Sequence, residues 1–75
     1  MLVVKVSPRR TVYVELTEDT FPNKGGYYGE VYADENKEFK LDDFTIQGAS
    51  LRGFDDKRKQ AIVMANDKVK RMFAK

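Results

Sequence analysis

Apolar residues fall at every second position along Thr11–Thr17. Val12, Val14 and Leu16 point to one side, and Tyr13, Glu15 and Thr17 to the other. That period predicts a half-buried strand over 11–17. Upstream, Leu2–Ser7 is rich in β-branched residues and stops at Pro8, which lacks an N–H and cannot continue a central strand. A strand over 2–7 and a turn through Ser7–Arg10, with Pro8 at its favoured second position, follow. The two strands form a hairpin in which Leu2, Val4 and Val6 join Val12, Val14 and Leu16 on the core face.

Glu18–Gly26 holds Pro22, Asn23 and two glycines, and reads as a long loop. Phe21 within it has two readings: a side chain tucked back to close the core edge, or an exposed aromatic that meets a partner. Alternation resumes over 27–34, with Gly29, Val31 and Ala33 on one side and Tyr28, Glu30, Tyr32 and Asp34 on the other. Asp34–Lys37 reads as a tight turn in which Asn36 tolerates the left-handed conformation. A return strand over 37–47 places Phe39, Leu41, Phe44 and Ile46 inward. Asp42–Asp43 interrupts it as a bulge or short turn. The Gly48–Gly53 connection is anchored by Leu51 together with Phe54, as a lid on the core.

From Asp55 the period changes to that of a helix, predicted over about 55–74. With Arg58 as reference, Ala61, Ile62, Ala65, Val69, Met72 and Phe73 share one stripe. Asp55 or Asp56 is the expected N-cap, and basic residues crowd the last turns, where the helix dipole is negative. The fold class is therefore α+β: an antiparallel sheet of three to four strands packed on one face by a single C-terminal helix. A chain of 75 residues makes one domain, 1–75, with no room for a deep active-site cleft.

Composition narrows the chemistry. With no Cys and no His, the chain has no thiol nucleophile, thiolate metal site or side chain that titrates near neutrality unperturbed. It carries no glycine-rich phosphate loop, and its adjacent carboxylates, such as Asp42–Asp43, are expected as turn residues and caps rather than metal ligands. A non-enzymatic module without cofactor or metal is expected. No apolar run reaches membrane-spanning length, and Met1–Val6 lacks the features of a signal peptide. The expected compartment is the cytoplasm, of a cell or of an infected host.

Charge is asymmetric. Residues 1–49 hold six bases and nine acids, a net −3, whereas residues 50–75 hold eight bases and three acids, a net +5. On the helical wheel Lys57, Lys68, Arg71 and Lys75 share one flank, with Lys59 and Lys70 to one side. Such a stripe neutralises phosphates, though a solvated helix face has a similar composition. Arg9 and Arg10 at the hairpin tip form a second small basic site. Nucleic acid is thus the first expected partner, through Arg9, Arg10, Lys57, Lys68, Arg71 and Lys75. A protein partner or a second copy is the alternative. It would use Tyr13, Tyr28 and Tyr32 on the outer sheet face, Phe21, or an outward Val63–Met64 patch. The layout is similar to small DNA-binding modules of integrase-arm type and to small antitoxin and phage-inhibitor domains. That likeness is architectural and carries no residue over.

Overall fold

The computed structural model describes residues 1–74. Four strands, β1 (Leu2–Ser7), β2 (Arg10–Glu18), β3 (Tyr27–Tyr32) and β4 (Lys40–Ile46), form one antiparallel sheet in the order β1-β2-β3-β4. A short helix α1 (Gly48–Leu51) and a longer α2 (Lys57–Met72) follow. The architecture is α+β, as the periodicities required, with α2 packed on one face of the sheet. Among the described residues no helix is long and apolar enough to cross a membrane.

Register shows why the faces separate. Val4 pairs with Val12, Leu2 with Val14, and Val14 in turn with Val31, so the alternating valines of three strands line one face. Val4, Val12, Val14 and Val31 are buried there with Phe44 and Ile46. Leu2, Val6 and Leu16 pack at the margin. Tyr27 is buried in the same core, an inward residue at the start of β3 that the sequence reading passed over. Gly29 lies under the Phe44 ring: a Cβ there would sit 2.2 Å from the ring tip. The missing side chain is what lets Phe44 cross β3.

Strand ends differ from the expected ones for local reasons. β3 stops at Tyr32, not at 34, because Asp34 is committed to the turn. Its carboxylate accepts from the N–H of Glu38 at 3.0 Å and of Phe39 at 3.1 Å, and its carbonyl accepts from Lys37 N–H at 3.2 Å. Ala33 is left exposed beyond the strand. Lys37, not Asn36, takes the left-handed conformation, with φ 62°. β4 accordingly starts at Lys40 rather than 37. Its bulge falls at Leu41, one residue ahead of the expected Asp42–Asp43, because Tyr32 pairs with Lys40 and Val31 with Asp42. The extra residue turns Phe39 and Leu41 out of the core, 68% and 40% exposed, where alternation had placed them inward.

The helix begins at Lys57, two residues later than predicted, and ends at Met72. Asp56 is the N-cap, its carboxylate accepting from Lys59 N–H at 3.0 Å. Ala61, Ala65 and Val69, four residues apart, are fully buried. Met64, Met72 and Phe73 pack against the cluster they join. The stripe is thus rotated toward Met64, which is not outward as expected, and Ile62 stays half-buried at the rim. The helical turn α1 was not anticipated. It drives Leu51 to full burial but leaves Phe54 42% exposed, so Leu51 alone anchors the connection.

Leu51→Ala should therefore cost about 2–5 kcal/mol, as large-to-small core changes do. Val63→Ala on the exposed side of α2 should cost under about 0.5 kcal/mol. Urea melts of the two variants check this; comparable losses would mean that α1 does not seal the core.

Candidate nucleic-acid interface

The basic residues singled out in the sequence do not all gather. Arg10 opens β2, and its guanidinium lies 4.7 Å from the centre of the Phe73 ring at the end of α2. This cation–π contact holds the β1–β2 turn, with Arg9, against the helix end that carries Lys70 and Arg71. Lys68 and Arg71 flank a shallow cleft with Phe44 and Met72, on the side of α2 facing β4. Arg71 forms an ion pair with Asp67 one turn earlier, Nη2 to Oδ2 at 2.8 Å. Lys57 shares the flank of Lys68 and Arg71 but sits about 21 Å from Arg71 along the axis. Lys75 lies outside the described residues. The structure thus brings Arg9 and Arg10 to the helix end of Lys68 and Arg71, and leaves Lys57 at the far end.

Charge on α2 is largely uncompensated. The helix holds six bases against the single acid Asp67. Among the described residues Arg9, Lys57 and Lys68 make no ion pair. Lys57, Arg58 and Lys59 crowd the first turn, where the helix dipole is already positive and the nearest acids are Asp55 and the N-cap Asp56 just ahead of it. Each cation there costs a few tenths of a kcal/mol up to ~1 kcal/mol at an exposed end. Arg58 finds partial relief over the Tyr27 ring, 5.9 Å from its centre.

The outer sheet face is balanced instead. Tyr13 sits opposite Tyr32, Glu15 opposite Glu30, and Thr17 opposite Tyr28. Lys37 pairs with Glu15. Lys40 reaches Asp43 at 3.0 Å, Glu30 at 3.3 Å and the Tyr28 hydroxyl at 3.3 Å. Hydrogen bonds to Asp43, Tyr28 and Glu30 hold the Lys40 ammonium well above its ordinary pKa, and Lys40 holds the Asp43 carboxyl below its own. Burial, then the Glu30 charge, raises Tyr32. Tyr32 is 9% exposed, so only Tyr13 and Tyr28 of the expected trio offer surface. These lysine networks were missed because Lys37 and Lys40 meet Glu15 and Glu30 only through cross-strand register. Asp43 is engaged by Lys40, and among the described residues no three acidic side chains gather as a metal would require.

Two further sites separate. Phe21 is 89% exposed, so the tucked reading is wrong. Its loop is nonetheless tied down. Asp19 N–H donates to Gly26 O at 3.0 Å, and Asn23 donates to Ile46 O at 3.1 Å while accepting from Gly48 N–H at 2.8 Å. Val63 is 54% exposed, but Met64 packs on the core, so no Val63–Met64 patch exists. No protein-family model, curated protein or solved structure significantly matches the chain.

The Lys40 network sets a pH dependence. Because the folded pKa of Asp43 is lowered, its contribution to stability is complete above the unfolded value of about 3.9 and is lost as pH falls through the lower folded value. Side-chain carboxyl NMR should find Asp43 titrating below that value. In Lys40→Gln it should return toward it, and acid unfolding should lose that part of its pH dependence. An unshifted Asp43 in the wild type would show that the network does not hold in solution.

Proposed function

We propose that the chain is a non-enzymatic module that contacts nucleic acid through the basic side of α2 together with the Arg9–Arg10 turn. In this reading it works in the cytoplasm of a cell or of an infected host. The observation that carries the reading is the contrast between the two sides of the molecule. The acids of the outer sheet face are taken up by Lys37 and Lys40. The six bases of α2 share the helix with the single acid Asp67, and only Asp55 and the N-cap Asp56 stand just ahead of it. Uncompensated cations along a helix suit a phosphate backbone, whose condensed counterions they release. Arg10 stacked on Phe73 extends that surface from the helix to the hairpin tip. Contacts of this kind position the module on phosphates; base reading needs further side chains at the groove.

A protein-binding regulator or inhibitor of phage or mobile-element type is the second reading. It is favoured by Phe21, an aromatic side chain held in solvent on a hydrogen-bonded loop. It is the reading left standing if oligonucleotides do not bind.

Binding to duplex and single-stranded oligonucleotides, titrated with salt, tests the first reading. The wild type should bind at low ionic strength with a negative slope of log K against log salt. A Lys57→Ala, Lys68→Ala double variant should flatten that slope by about 2 on duplex DNA, near 0.9 for each phosphate no longer neutralised. Its melting temperature should hold or rise slightly, since both side chains are exposed and Lys57 opposes the helix dipole. Absence of any salt-dependent binding by the wild type would refute the nucleic-acid reading.

A further inference from the structure

Lys68 and Arg71 border a cleft rather than stand on an open ridge. The cleft lies between α2 and β4, measures about 360 Å³ and is lined by these two residues with Phe44 and Met72. Sites that hold small ligands span about 300–1,000 Å³. Its floor is apolar: Met72 is half-buried, and Phe44, 9% exposed, shows the last uncovered part of its ring.

The two walls of the cleft differ in charge. Both cations stand on the helix wall. Among the described residues Lys68 has no ion-pair partner, and Arg71 gives Asp67 one guanidinium nitrogen while keeping further N–H donors. The strand wall has no cation on this side. Asp42 pairs with Val31 and Phe44 with Gly29, so both stand on the helix side of the sheet. Among the described residues Asp42 also lacks an ion-pair partner. A phosphate is thus drawn to the helix wall and repelled from the strand wall, while the floor between them favours an apolar surface.

Single-stranded and duplex nucleic acid meet such a cleft differently. A duplex carries phosphates on its surface but keeps its base faces stacked inside, so it can reach the two cations and leaves the floor unused. An unpaired nucleotide offers a phosphate and a flat apolar base face one sugar apart, which is how single strands are held in basic grooves with apolar platforms. We propose, resting on the nucleic-acid reading above, that the strand bound here is single. Its phosphates run along Lys68 and Arg71, and one unpaired base lies on Met72 and Phe44. The charge of the helix wall and the apolar floor are then used together, and the backbone keeps away from Asp42.

The test compares three probes of equal length at low ionic strength: a mixed-sequence single-stranded DNA, the same strand with abasic sugars throughout, and the corresponding duplex. The abasic strand keeps every phosphate and loses every base. The full chain should bind the single strand about tenfold more tightly than the abasic strand, the effect expected of one base on an apolar platform. The salt slopes of these two should match, because only phosphate contacts release counterions. The duplex should bind more weakly than the single strand. Met72→Gln makes the floor polar at similar size and should close most of the gap between the single and abasic strands, with circular dichroism confirming that the variant folds. Equal affinity for the single and abasic strands would overturn the proposal and leave phosphate binding standing. So would a duplex bound more tightly than the single strand, or a gap that Met72→Gln leaves unchanged. Absence of salt-dependent binding to all three probes would instead refute the nucleic-acid reading, and the single strand with it.

Discussion

The contact between Ala61, Ala65 and Val69 of α2 and the valines of the sheet is the one on which the rest depends. Small residues every fourth position bring the helix close to the strands, so that little volume separates the layers. A 75-residue chain can build only one such layer contact. Its core is accordingly modest in side-chain size: Ile46, Leu51 and five valines are its largest fully buried members. Each therefore matters, and Leu51 matters beyond its helix, since the turn α1 exists to bring it inward. Among the described residues no buried side-chain polar atom lacks a partner, so none of that small apolar gain is lost to an unmet hydrogen bond.

A single helix covers one face and leaves the other open, and the open face is solved by chemistry rather than by a second layer. Tyrosines lie opposite one another or opposite threonine, and glutamates that would repel across β2 and β3 are answered by Lys37 and Lys40. The Lys40 ammonium serves Asp43, Glu30 and the Tyr28 hydroxyl together, with the Tyr28 ring 5.8 Å below it. These groups are partly solvated, so such pairs contribute little individually. Their larger effect is to leave the outer face nearly neutral, in contrast to the six bases of α2.

The loop from Glu18 to Tyr27 shows how far a local pattern can be trusted. Its glycines and proline marked it as irregular, and it is. Neither Asn23 nor Gly26 announced the pairing that ties the loop to the end of β4. That link runs from Asn23 to Ile46 and Gly48, more than twenty residues away. With the loop held from below, Phe21 stays in solvent rather than folding back. An apolar residue in a loop carries no sign of which way it will turn; that depends on whether its neighbours have already filled the space.

Period and punctuation in the sequence determined the α+β class, the first hairpin, the inward set of Val4, Val12, Val14, Phe44 and Ile46, and an N-cap at Asp55 or Asp56, of which the fold uses Asp56. These are properties of residues two to four positions apart, and local geometry alone constrains them. Charge counting likewise located the basic excess on the C-terminal helix. Tertiary structure alone decided the bulge at Leu41, which reverses Phe39 and Leu41, because a bulge is chosen by the partner strand. It decided the rotation of α2 that packs Met64 against the core and leaves Ile62 at the rim, since a wheel has no absolute orientation until a sheet is placed beneath it. It also decided which cations stand free and which are spent. Lys37 and Lys40 meet their acids only when strands distant in sequence come into register, and Arg10 meets Phe73 only when the hairpin tip reaches the end of the helix.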